Sequence, residues 1–162
     1  VNDVNEAARR FREAMAHVCS PVAVITAMDG DRPHGTTVSA FMSLSMDPPL
    51  ALIALDRGSE VLALIEGSGK FAINVLAAED GPLAMTFAKK GRDKFGGVGW
   101  QQHSGVPRLD GAPIWIACAV DSVADGGDHK IVTGAVVDVD HRESGPLTYH
   151  RRLFGTHLPS TV

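Results

Sequence analysis

IWIACAVDSV, residues 114–123, alternates from end to end. Ile114, Ile116, Cys118 and Val120 point one way, and Trp115, Ala117, Ala119 and Asp121 the other. Period-two alternation predicts a strand with two distinct faces. Asp125, Gly126, Gly127 and Asp128 then form a turn sequence, and residues 129–139 read as the returning arm of a hairpin.

Working outward, residues 22–28 are a β-branched run closed by Asp29-Gly30. Residues 34–45 read as extended and rich in small hydroxyl side chains, and Asp47-Pro48-Pro49 interrupts them. Residues 50–55, 71–76 and 147–150 read as further strands. Helical spacing occurs at residues 5–18, through Ala7, Phe11, Ala14, Met15 and Val18, with Pro21 beyond. A short helix capped by Ser59 runs through Ile65, followed by Gly67 and Gly69. Another covers residues 82–88, with Gly91 as its stop. Residues 89–113 read as irregular. About seven strands with two or three short helices argue against a doubly wound parallel sheet. A mainly β, closed or nearly closed antiparallel barrel suits short strands and hides their edges.

With 162 residues and no repeat or linker, the chain reads as one domain spanning 1–162. Lys and Arg number 15 against 19 Asp and Glu, for a net charge of −4, so a nucleic-acid partner is not expected. No apolar run reaches the roughly 18 residues of a membrane span. Cys19 and Cys118 are far apart, and residues 1–17 are charged throughout with no apolar signal core. These features point to a cytoplasmic, reducing address. No HxxxH, HExxH or CxxC spacing supports a metal site, and no GxSxG elbow supports a serine nucleophile. Residues 67–72 match GxGxxA, but they follow a helix and open a strand, the reverse of the dinucleotide-binding context.

Four segments carry candidate chemistry. In residues 34–49, Thr36, Thr37, Ser39, Ser43 and Ser45 offer hydroxyls and backbone donors; a polar edge strand and a strand binding a phosphate-bearing ligand both fit. Ser59 follows Asp56-Arg57-Gly58, where it either caps a helix or helps to bind an anion at the helix N-terminus. Residues 87–95 hold Lys89, Lys90, Arg92 and Lys94 around Asp93, with Phe87 and Phe95 at the ends; they form a solvated loop or an anion-docking surface. Gly127-Asp128-His129 sits at the predicted hairpin turn, which explains the glycine but not His129.

Taken in order, these segments resemble the short-chain flavin reductase family, whose members adopt an FMN-binding split-barrel fold. The resemblance runs from about Phe11 to Phe154 and rests on residues 21–26, 34–50, 67–76, 93–95, 127–129 and 146–149. It implies an antiparallel Greek-key split β-barrel. It also implies a homodimer that takes hydride from NADH or NADPH to reduce FMN or FAD and passes reduced flavin to a monooxygenase. Thr36, Thr37, Val38, Ser39 and Ala40 would edge the flavin ring. Ser43, Leu44, Ser45 and Ser59 would lie near its ribityl chain and phosphate. Lys89 or Lys94 would neutralise phosphate charge, Phe95 would line the pocket, and His129 would approach the nicotinamide. Arg57, Arg92, Arg151 and Arg152 are the candidates to read a 2′-phosphate. A non-catalytic flavin carrier or sensor on the same barrel is the alternative.

Overall fold

The computed structural model describes residues 2–91 and 93–160, which form three helices and twelve strands. In chain order these are α1 (Asn2–Ala16), β1 (Ser20–Pro21), β2 (Ala23–Asp29), β3 (Arg32–Val38), β4 (Phe41–Met46), β5 (Pro49–Asp56), α2 (Glu60–Ser68), β6 (Lys70–Val75), α3 (Gly81–Ala88), β7 (Trp100–His103), β8 (Val106–Leu109), β9 (Ile114–Gly126), β10 (His129–His141), β11 (Leu147–His150) and β12 (Leu153–Thr156). The main sheet has seven strands in the order β3-β2-β6-β9-β10-β5-β4, every neighbouring pair antiparallel.

That order explains the shape. β3 and β4 are the two edges of the sheet, yet only Ser39 and Ala40 separate them in sequence. A two-residue link cannot cross the width of a flat seven-stranded sheet, because strands lie about 4.8 Å apart. The sheet must therefore curl until its edges meet at Ser39-Ala40, where the Ala54 N–H donates to the Ala40 carbonyl at 2.9 Å. β3 and β4 do not pair with each other, so the barrel is split. The expected single stretch at 34–45 is thus two strands on opposite edges.

Cores form on both faces. Ile25, Ile53, Phe71, Ile73 and Cys118 pack against Val61, Leu62 and Ile65 of α2. On the other side, Val24, Leu76 and Leu147 pack against Ala84 and Phe87 of α3. Both faces of the long hairpin strand β9 are used: Ile114 and Ile116 pack on the first core, while Trp115 and Ala117 meet Val106 of β8. Asn74, fully buried, ties this layer together. Its Oδ1 accepts from the Leu109 N–H at 2.8 Å, and its Nδ2 donates to Thr26 Oγ1 at 3.1 Å.

Residues 89–113, read from sequence as irregular, contain the β7–β8 hairpin. Its two-residue turn is Ser104-Gly105, with φ +51 and +80, a primed-turn geometry that suits the strand twist. β12 likewise lies outside the strands expected from the sequence. Arg151 and Arg152 turn the chain into it at φ +50 and +65 without a glycine, so no sequence signature marks the turn. α1 runs from Asn2 to Ala16 rather than 5–18. α2 continues through Gly67 and stops at Gly69, whose φ of +68 lets its N–H reach the Ile65 carbonyl at 2.8 Å.

Candidate active site

Where the barrel splits, two adjoining depressions of about 500 and 290 Å³ form one groove, sharing Thr36, Asp56 and Ser59. The larger lies between the N-terminus of α2 and the loop after α3. The smaller runs along β3 and the end of β5 to His129.

The edge of β3 forms one wall. Lys94 Nζ donates to the Gly35 carbonyl at 3.1 Å, so that carbonyl points off the sheet, away from β2. In an antiparallel ladder the outward-facing residues alternate. The N–H groups of Gly35 and Thr37 therefore also point off the free edge, into the split. Thr37 Oγ1 is committed elsewhere, donating to the Ala84 carbonyl at 2.7 Å.

Ser59 begins the second wall as the N-cap of α2, with extended backbone and no side-chain capping bond. Its hydroxyl and the first N–H groups of the helix remain donors for an anion. Asp56 shapes the approach, because its Oδ1 accepts from the Gly58 N–H at 2.7 Å. Opposite stand Lys89, Lys90 and Lys94. Lys94 Nζ also donates to the Phe87 carbonyl at 3.0 Å. Burial lowers its pKa, with the Glu60 carboxylate pulling the other way. His34 lines the same cleft and is buried. Its Nε2 has no hydrogen-bond partner, and Asp29 Oδ2 lies 4.0 Å away.

His129 closes the far end of the groove. It starts β10 and pairs in register with Asp56. Its Nδ1 lies 2.7 Å from Asp128 Oδ1, and hydrogen bonding to His129 holds the Asp128 carboxyl below the usual range. That contact fixes the ring with Nδ1–H on the carboxylate, which leaves Nε2 for a ligand.

The groove thus brings together Thr36, Thr37, Val38, Ser39, Ala40, Ser59, Lys89, Lys94 and His129. Ser43, Leu44 and Ser45 lie on β4 and line neither depression; Ser43 and Leu44 are exposed and Ser45 is half-buried. Phe95 stacks edge-on against Phe87 at 4.9 Å and Trp100 at 5.8 Å, behind the wall rather than in it. Arg151 and Arg152 occupy the β11–β12 turn, and Arg92 lies outside the described residues. His34, Gly35 and Asp56 are lining residues that sequence reasoning did not single out, although His34-Gly35 opens the hydroxyl-rich stretch. A separate cleft of about 320 Å³ lies beyond β8. Its arginines are engaged, Arg108 with Asp140 and Arg142 with the Gly111 carbonyl.

A split barrel with a donor-lined edge and a cationic wall suits a planar, phosphate-bearing ligand. The flavin reductase-like domain model matches residues 15–157. The chain belongs to the flavin reductase-like family. Among its relatives is the actinorhodin polyketide dimerase of Streptomyces coelicolor, 43% identical over 147 residues, covering 89% of this chain and 83% of that one. Another is the reductase subunit HsaB of a flavin-dependent monooxygenase from Rhodococcus jostii, 39% identical over 145 residues, covering 88% and 74%. The solved NADH:FAD oxidoreductase SgcE6 of Streptomyces globisporus, in complex with NAD and FAD fragments, superposes with a TM-score of 0.90 at 27% identity, covering 97% of this chain and 96% of that one. This flavin reductase-like protein is an NAD(P)H-dependent flavin reductase that acts on FMN or FAD, a reductase component of the two-component monooxygenase type. None of its described helices is long and apolar enough to cross a membrane.

Proposed function

We propose that the groove at the split holds flavin along the free edge of β3, with its phosphate end toward Ser59 and the lysines, and that His129 meets the nicotinamide. The observation that carries this reading is the convergence of β3, the end of β5, the start of α2, the loop after α3 and the start of β10 on one groove, whose two depressions share Thr36, Asp56 and Ser59. The donors fit the group. Outward N–H groups of Gly35 and Thr37 match acceptor atoms on a flavin edge, and orphan N–H groups of α2 with Lys89 and Lys94 match a phosphate. Bound flavin supplies the ring atom that accepts hydride from the nicotinamide. Among the chain's own groups, the β3 edge orients the ring and offers donors where negative charge develops. The lysine wall balances the phosphate. His129 Nε2 holds the nicotinamide end, and Asp128 holds the imidazole. Ser43, Leu44 and Ser45 would reach the ligand's chain only by its extending along β4, and Phe95 supports the wall from behind.

Reduced-nicotinamide oxidation by purified protein, with and without FMN or FAD, tests the reading. Turnover that requires flavin and saturates with it is expected. Flavin binding without turnover by NADH or NADPH would return the carrier or sensor. In the same assay His129→Ala is expected to raise the KM for the nicotinamide about tenfold while moving the KM for flavin far less. Unchanged nicotinamide kinetics would remove His129 from the site.

The reading extends to a homodimeric, single-domain, cytoplasmic enzyme serving a monooxygenase. Phe11, Met15 and Val18 of the α1 region are exposed, as are Met42, Leu44 and Met46 on the edge strand β4. Apolar rows of this kind on a helix and a sheet edge suit burial against a second copy. Cys19 and Cys118 are unpaired, which fits a reducing compartment. Light scattering is expected to give about twice the 17.1 kDa chain mass. A monomeric mass for the active enzyme would reject the dimer.

A further inference from the structure

We propose that Arg57 is a positioning residue for His129, an inference that rests on the nicotinamide role given to His129 above. Arg57 lies in the loop between β5 and α2, two residues before the cap Ser59. Its side chain turns away from α2 and grips the β9–β10 turn. Nε donates to the Gly127 carbonyl at 2.8 Å, and Nη2 pairs with Asp125 Oδ1 at 2.9 Å. Its backbone N–H donates to the Asp128 carbonyl at 3.0 Å. Three contacts from one residue therefore hold three residues of the turn that carries His129.

The turn needs such a hold. It is built on Gly126 and Gly127, the latter at φ +72, and it presents no buried side chain of its own. Glycines leave a turn free to sample many conformations. The ladder between β10 and β5 ends at the His129–Asp56 pair, and Gly126 pairs with His129 on β9, so residues 127 and 128 project beyond the sheet. Arg57 immobilises the two carbonyls just before His129, and Asp128 then fixes the ring through Nδ1. The planar guanidinium delivers both side-chain bonds from one rigid fork, which a lysine cannot do. The same engagement removes the Arg57 fork from the candidates for reading a 2′-phosphate. The N-terminus of α2 and the hairpin tip thereby become one rigid frame across the groove.

A double-mutant cycle on the full chain tests this, using NADH and FMN for kinetics, FMN fluorescence quenching for flavin affinity, and calorimetric titration of NAD+ into FMN-loaded protein. Arg57→Ala is expected to raise the NADH KM about fivefold to tenfold and to weaken NAD+ binding by a similar factor. FMN affinity should stay within about twofold, because no flavin-facing donor is removed. Added to His129→Ala, Arg57→Ala should have almost no further effect, since coupled residues are non-additive. Arg57→Lys should recover part of the loss. Full additivity, an equal loss of FMN affinity, or an unchanged NADH KM in Arg57→Ala would overturn the positioning role. If His129→Ala itself leaves the NADH KM unchanged, the nicotinamide role of His129 fails and the proposal falls with it. If His129→Ala raises it and Arg57→Ala does not, only the positioning role fails.

Discussion

Gly35→Val is expected to lower the melting temperature by about 6–15 °C and to abolish tight flavin binding. A Cβ at Gly35 would sit 2.7 Å from Phe87 Cε1, 2.8 Å from Phe87 Cδ1 and 3.1 Å from Val24 Cγ1. The ring cannot retreat. Phe87 is fully buried and backed by Phe95, which is itself backed by Trp100. Overpacking of this kind costs about 1–3 kcal/mol for one methylene and more for a branched side chain. Relief requires β3 or α3 to shift, and the edge of β3 is the wall on which flavin is proposed to lie. Gly67→Ala is the matched control. Gly67 lies inside α2 with nothing within 4 Å of its Cβ position, so it should gain about 0.5–1 kcal/mol. Calorimetry with flavin-fluorescence titration checks both. A Gly35→Val protein with wild-type stability and flavin affinity would show that the β3–α3 contact yields freely.

Lys94→Met is expected to reduce FMN affinity roughly tenfold to a hundredfold while changing riboflavin affinity by less than about threefold. Methionine keeps an unbranched side chain one atom shorter and removes the charge. Two carbonyls, of Gly35 and Phe87, lose their shared donor. The cleft loses its most firmly held cation, since Lys94 is anchored where Lys89 and Lys90 are exposed. Riboflavin lacks the phosphate, so the ratio of the two affinities isolates the charge effect from any movement of the wall. An unchanged ratio would place the phosphate away from Lys94. The lysine also leaves a mark on stability. Burial lowers its pKa below the ordinary 10.5, so the unfolded chain binds the extra proton more readily. Stability should therefore rise with pH between the folded value and 10.5, and Lys94→Met should flatten that rise.

The hairpin of β9 and β10 was legible because alternation and a Gly-rich turn are local signals. The helix at α2 was legible from its cap, and α3 from its apolar run before a glycine-containing loop. β7, β8 and β12 were not. Gln101, Gln102 and His103 are exposed and carry no apolar alternation, and Pro107 sits inside β8. Those strands exist because Val106 docks on Trp115 and because Asn74 captures the Leu109 N–H, contacts 9 and 35 residues away in sequence. The turn at Arg151-Arg152 uses left-handed backbone at two arginines, where composition predicts nothing.

The same division holds at the site. His129, Ser59, the lysines and the 36–40 stretch stand out in the sequence as unusual residues in turn, cap and strand contexts. The family, the mainly β class and the catalysed chemistry follow from the order of those segments. Which of these residues share a groove was decided only in three dimensions. Ser39-Ala40 joins the two edges of the sheet, and that short link curls it until β3 faces the end of β5. The curl brings Thr36 beside Ser59 and His129, turns the outward N–H groups of β3 into the split, leaves Ser43, Leu44 and Ser45 on β4 outside it, and puts Phe95 behind the wall. Side-chain chemistry is local and is written in the chain; which strands become edges, and what those edges face, depends on how all seven strands close.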